Sequence, residues 1–139
     1  MNYLLDTCVI SELVARRPNP RVIQWIDQTD ERNLYLSVLT IGEIRKGIEK
    51  LRDSERKTAL NLWLHDQLLV RFKDRLTPID ADVMLQWGQL TGVLELEGKT
   101  MGAIDSLIAA TALHGGLTLV TRNEADFQHT GVPILNLWK

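Results

Sequence analysis

Short apolar runs alternate along the chain with longer stretches in which apolar residues recur at helical spacing. Tyr3-Leu-Leu, ending on Asp6, has the length of a strand, and Thr7 offers a cap for the mixed stretch Val9 to Ala15, which predicts a short helix. Pro18 and Pro20 mark a break, and Val22, Ile23 and Ile26 then predict a second helix with Trp25 beside them. Leu34 to Val38 is compact and partly β-branched or aromatic, so a second strand is expected. Thr40 and Glu43 have capping-box spacing, which predicts a third helix running to about Leu51.

Beyond it, Leu60, Trp63, Leu64 and Leu68 share a stripe that predicts one long amphipathic helix between Asp53 and Val70, capped by Ser54. Leu76 to Ile79 is a short strand candidate, and Val83 to Leu96 resumes helical spacing through Trp87, Leu90 and Leu94. Ala103 to Leu113 is helical by composition and stopped by Gly115-Gly116. Leu117 to Val120 reads as a buried strand and Pro133 to Leu137 as a final extended segment. Strands alternating with helices predict an α/β fold with a mostly parallel sheet covered on both faces.

Composition narrows what such a fold can do. At 139 residues the arithmetic favours one domain spanning 1–139, and 45% hydrophobic residues supply its core without a staple. A formal charge of -2 excludes a uniformly basic nucleic-acid coat, so any such site is a local patch. The single Cys8 can form no internal disulfide, and no Cys/His cluster exists to hold zinc. Neither a leader peptide nor a membrane span is legible, and a cytoplasmic location with no membrane partner is expected.

In an open α/β sheet the ligand crevice lies outside the carboxyl ends of the strands, which directs attention to the acids there. Asp6 ends the first strand, Glu43 lies one turn into the helix after the second, and Asp105 sits in the first turns of an apolar helix. Each has an ordinary structural explanation: a strand-to-helix turn for Asp6, a capping box for Glu43, a helix dipole for Asp105. Were the three to converge without a matching Lys or Arg, they would repel unless a hard cation such as Mg²⁺ or Mn²⁺ neutralised them.

Four stretches containing these acids resemble the PIN-domain ribonucleases of the VapC toxin type, especially the FitB-like branch. They are Leu5-Asp-Thr-Cys-Val-Ile-Ser-Glu12, Leu36-Ser-Val-Leu-Thr-Ile-Gly-Glu-Ile-Arg-Lys-Gly47, Gly102-Ala-Ile-Asp-Ser-Leu-Ile-Ala-Ala-Thr-Ala112 and Val120-Thr-Arg-Asn-Glu-Ala-Asp-Phe127, in the family's order. The resemblance implies a single three-layer PIN domain acting as a Mg²⁺- or Mn²⁺-dependent endoribonuclease, the toxin of a toxin-antitoxin pair. It also implies a homodimer, an RNA substrate, a cognate antitoxin protein, and products with 5′-phosphate and 3′-hydroxyl ends. Asp6, Glu43 and Asp105 match the family's metal-binding acids, and Thr7 matches the small polar residue beside the first.

Two positions depart from the family pattern. Cys8 stands where the family commonly has Asn, removing an amide that could orient carboxylates. Asn123 stands at the fourth acidic position and joins Asp6, Glu43 and Asp105 as a candidate catalytic residue, its amide oxygen still able to accept from a water. Asp126 could restore the lost charge, although a turn or cap role beside Phe127 is its simpler reading.

If the acids converge, the cation recruits an anionic phosphodiester and activates the attacking water, so no covalent nucleophile is needed. His65, His114 and His129 are scattered and read as structural or exposed, and Trp25, Trp63 and Trp87 as core or dimer contacts. Arg45, Lys46, Lys50, Arg52, Arg56 and Lys57 form a basic cluster whose ordinary reading is a solvated helical face, with phosphate contacts open for Arg45 and Lys46. Lys99 and Arg122 flank the other motifs in the same way. The alternative to the enzyme is a non-catalytic PIN-fold module binding RNA or protein, motivated by Cys8 and Asn123. A phosphotransfer receiver fits less well, because its acidic pocket needs an adjacent acid pair and Asp6 stands alone.

Overall fold

A computed structural model describes residues 1–139. The order is β1 (Tyr3–Leu5), α1 (Thr7–Glu12), α2 (Pro20–Gln28), β2 (Leu34–Ser37), α3 (Val38–Glu49), α4 (Glu55–Trp63), α5 (Leu69–Arg71), β3 (Leu76–Thr77), α6 (Ala81–Leu96), α7 (Ala103–Gly115), β4 (Thr118–Val120), α8 (Glu124–Phe127) and β5 (Ile134–Leu135). The five strands form one sheet in the order β3-β2-β1-β4-β5, and all four pairings are parallel rather than mostly so. Helices surround the sheet, as the α/β reading expects.

The strands are short but fully committed, because alternate side chains enter opposite layers. Leu5, Leu34, Leu36 and Val120 face a core completed by Val9, Ile10, Val22, Ile26, Ile48, Leu64, Leu68 and Phe72. Leu4 and Leu119 face the other way, onto Ile108, Ala109 and Ala112 of α7 and onto Phe127 and Val132. Burial of these side chains is the main favourable term set against the ordering of the chain.

Two expectations about elements change. The helix expected to run unbroken from Asp53 to Val70 begins as foreseen, with the Ser54 hydroxyl accepting from the Lys57 N–H at 3.1 Å. It then widens into a π-helical stretch over Leu64–Leu68 before α5. Leu64 and Leu68, four residues apart, both reach the same core. The capping box of Thr40 and Glu43 does not form: Ser37 caps α3, its hydroxyl accepting from the Leu39 N–H at 3.0 Å. Strand β2 runs straight into α3 without a loop, so the last strand residue is the cap, Thr40 is buried within the helix, and Glu43 has no capping duty.

Sheet order positions the site. Starting from β1, the chain adds β2 and β3 on one side, then returns to add β4 and β5 on the other. The crevice of such a sheet opens where the direction reverses, at the carboxyl ends of β1 and β4. No helix is long and apolar enough to cross a membrane.

Candidate active site

The adjacent ends of β1 and β4 are tied by the Asp6 N–H, which donates to the Val120 carbonyl at 3.0 Å. Asp6 is the N-cap of α1: one carboxylate oxygen accepts from the Thr7 N–H at 2.8 Å. The other accepts from the Thr121 hydroxyl at 2.8 Å. Asp6 is 6% exposed and Thr121 fully buried, so this carboxylate is fixed in direction. Thr121 in turn accepts from the Asn123 N–H at 3.0 Å, holding the loop after β4 against the same point.

Freed from capping, Glu43 turns toward α1 and accepts from the Thr7 hydroxyl at 2.6 Å. Thr7 thus touches both acids, bonding Asp6 through its backbone and Glu43 through its side chain. Asp105 lies in the first turn of α7, half-buried, and no Lys or Arg forms an ion pair with it, with Asp6 or with Glu43. Burial pushes the Asp105 carboxyl above its ordinary value, and the charges of Asp126, Asp6 and Glu43 push it further in the same direction.

Three carboxylates from three elements therefore feel one another across the crevice. They do not form a tight cage: the only three Asp, Glu, His or Cys side chains whose donor atoms all lie within 4.8 Å of one another are Asp80, Asp82 and His114, exposed and elsewhere on the surface. The oxygen donors and uncompensated negative charge of Asp6, Glu43 and Asp105 nevertheless suit a hard divalent cation, and their wider spacing suits Mg²⁺ or Mn²⁺, which keep several water ligands.

The two departures from the family pattern take different positions. The Cys8 sulfur lies 3.9 Å from the Asp6 carboxylate and 3.8 Å from the Thr121 hydroxyl, and it accepts from the Arg122 N–H at 3.5 Å. Burial raises the thiol above its ordinary 9.0, the Arg122 N–H pulls it down, and the Asp6 charge raises it again. The net is a protonated thiol at neutral pH, a weak donor and no soft ligand. The Asn123 side chain is exposed and forms no cap hydrogen bond, so only its backbone is tied into the site.

Two residues carry more of the site than the sequence suggested. Asp126, expected as a turn residue, does close a turn through its N–H on the Asn123 carbonyl at 3.1 Å. It also lines, with Asp105, a cavity of about 220 Å³ that includes Lys99 and His129. Lys99 is paired there with Glu97 at 3.2 Å. Thr121 carries no local sequence signal, since a Thr closing a strand is ordinary; only its place directly after β4, beside Asp6 in the sheet, marks it.

Comparison with known proteins gives the family. Residues 3–133 match the PIN domain family model. The chain is 36% identical over 135 residues to Toxin FitB of Neisseria gonorrhoeae, covering 97% of each, and 35% identical over 136 residues to a VapC ribonuclease of Sinorhizobium fredii, covering 98% of this chain and 97% of the relative. The crystal structure of FitAcB from Neisseria gonorrhoeae superposes with a TM-score of 0.92 at 36% identity, covering 98% of both chains. A family match over nearly the whole length, and acids gathered at the reversal of a five-stranded parallel sheet, place the chain in the PIN-domain family, among the relatives of FitB and the VapC ribonucleases.

Proposed function

We propose that this chain is a metal-dependent endoribonuclease and the toxin of a toxin-antitoxin pair. The observation that carries the reading is the site's uncompensated charge: Asp105 feels the charges of Asp126, Asp6 and Glu43, Thr7 ties Asp6 to Glu43, and no basic side chain forms an ion pair with Asp6, Glu43 or Asp105. A structural cluster of acids would be matched by Lys or Arg; an unmatched one is suited to a cation.

Asp6, Asp105 and Glu43 would hold Mg²⁺ or Mn²⁺, which supplies there a positive field for the phosphodiester and a lowered pKa for the attacking water. The remaining steps fall to the chain's own groups. Thr7 and Thr121 keep Asp6 and Glu43 from turning away, so their free lone pairs stay aimed into the crevice. Asp105, held above its ordinary range by burial and then by the charges of Asp126, Asp6 and Glu43, is the acid whose ionised form gains most from a bound cation. Asn123, on the rim, offers an amide that can steady a water or a phosphate oxygen without adding charge. Hydrolysis in this sense leaves 5′-phosphate and 3′-hydroxyl ends.

Names of relatives support the substrate class and the partner. Proteins 25–35% identical over more than nine-tenths of this chain are described as VapC ribonucleases, and solved relatives are toxin-antitoxin complexes. By extension, this chain acts on RNA, is restrained by a cognate antitoxin, and works as a homodimer in the cytoplasm. A largely apolar groove of about 380 Å³, reaching from Val14, Leu60 and Trp63 to Thr7 and Glu43, gives an antitoxin segment a route to the acids.

Incubation of the purified chain with a total RNA pool tests the reading. Discrete fragments with 5′-phosphate ends are expected in Mg²⁺ or Mn²⁺ and absent both in EDTA and with Asp105→Asn. Intact RNA in the presence of folded, antitoxin-free protein and metal would turn the assignment to a non-catalytic PIN-fold binding module.

A further inference from the structure

The basic cluster on and after α3 separates in the structure into two kinds of residue. Arg45 pairs with Glu49 at 2.9 Å, Arg56 donates to the Val14 carbonyl at 3.3 Å, and Lys57 donates to the Glu49 and Leu51 carbonyls at 3.1 and 3.0 Å. Those three are structural. Arg52, beyond the helix, is exposed without an ion pair, and so are Lys46 and Lys50 along it, whose ammonium groups also have no hydrogen bond. Both line, with Glu43, a groove of about 540 Å³ whose walls are Val38, Leu39 and Ile104. Gly42 and Gly47 also line it, and there is open space where a Cβ would stand on either.

This pattern differs from a solvated helical face. Such faces place opposite charges three or four residues apart, as Arg45 and Glu49 do on the same helix. Lys46 and Lys50 are instead a like-charged pair at that spacing, which disfavours the isolated helix by about 0.2–0.5 kcal/mol. The acids three residues to either side of Lys46 are both engaged elsewhere, Glu43 by the Thr7 hydroxyl and Glu49 by Arg45. The two unmatched lysines, whose backbone positions are about 6 Å apart along the helix axis, follow Glu43 by one and two turns.

We propose that this groove carries the RNA strand as it leaves the acidic centre, with Lys46 and Lys50 holding successive backbone phosphates and Val38 and Ile104 receiving a base. The inference rests on the reading of the acidic centre as the cleavage site. Charge complementarity supports this occupant: the acids repel a polyanion, and lysine point charges attract it without regard to sequence. Val38 and Ile104 are 40% and 39% exposed, an apolar surface that any base can cover.

The test measures binding of an end-labelled single-stranded RNA by fluorescence anisotropy, using the full chain in an Asp105→Asn background with Mg²⁺ so that the RNA stays intact. Lys46→Gln/Lys50→Gln is compared with Lys73→Gln, an exposed lysine just before β3, at the opposite end of the sheet. Losing two phosphate contacts should flatten the slope of log K against log salt by about 1.4 and weaken binding about tenfold at low salt, while Lys73→Gln leaves both unchanged. An unchanged slope in the double variant overturns the proposal. So does a double variant that alters self-association in sedimentation but not RNA binding, which would make the groove a contact between copies. RNA cleaved in the Asp105→Asn background, visible on a gel of the same samples, counts against the acidic centre alone, because the slope still decides the groove.

Discussion

At the scale of single residues, Asp105 sets a conflict between stability and function. Its carboxyl lies above the ordinary 3.8 because of burial and then the charges of Asp126, Asp6 and Glu43. Between 3.8 and the raised value the unfolded chain has already lost the proton that the folded chain keeps, so stability falls as pH rises through that window and stays lower at neutral pH. Asp105→Asn removes this penalty. Thermal melts in EDTA should show the variant a few degrees more stable than the wild type at neutral pH and no more stable below 3.8, and RNA cleavage in Mg²⁺ should be lost. Thr121 works in the opposite sense, since its hydroxyl both fixes Asp6 and accepts from the Asn123 N–H. Thr121→Val should weaken Mn²⁺ binding about 10–100-fold, with Thr121→Ser restoring most of it, read by calorimetric titration.

The acids were legible in the sequence for a physical reason: Asp6 and Asp105 interrupt apolar runs, where a solvated charge has no business. Of the groups that aim them, Thr7 is marked only as a cap and by the family resemblance, and Thr121 not at all. Thr7 and Thr121 act through hydrogen bonds to residues 36 and 115 positions away, and nothing in a local pattern encodes such a partner. Cys8 was legible as a departure, but its contact with Thr121 as well as Asp6 needed the sheet to be assembled.

Among the elements, α3 shows how two residues of suitable chemistry compete for one role. Ser37 and Thr40 can each cap a helix, and spacing to Glu43 favoured Thr40. Strand β2 runs on to Ser37 and α3 begins at the next residue, so Ser37 takes the cap and Glu43 is left for the site. Urea titration should find Ser37→Ala less stable by about 1 kcal/mol, whereas Glu43→Gln, which removes no cap, should leave stability within about 0.5 kcal/mol and abolish cleavage. The π-helical stretch at Leu64–Leu68 and the four-residue α8 were invisible for related reasons. An apolar stripe at helical spacing does not reveal one widened turn, and Asn-Glu-Ala-Asp reads as a turn until buried Phe127 anchors it.

For the whole molecule, alternation of strands and helices was enough to predict the layered α/β architecture, because each strand is bounded by a helix and carries apolar residues toward both faces. Strand order was not predictable from segments of two to four residues, which carry too little pattern to fix a neighbour. The order matters most for function: β4 returns to pair with β1, and only that pairing brings the residues after Val120 beside Asp6. The site is thus a property of topology, assembled from segments separated by most of the chain.

A titration of Mn²⁺ into the wild-type chain and into Asp105→Asn, followed by calorimetry, tests the acidic centre most directly. A divalent-cation site built from Asp6, Glu43 and Asp105 predicts saturable binding in the wild type, weakened at least about tenfold in the variant although it is the more stable protein. Equal binding by the two proteins, or none by the folded wild type, would contradict it.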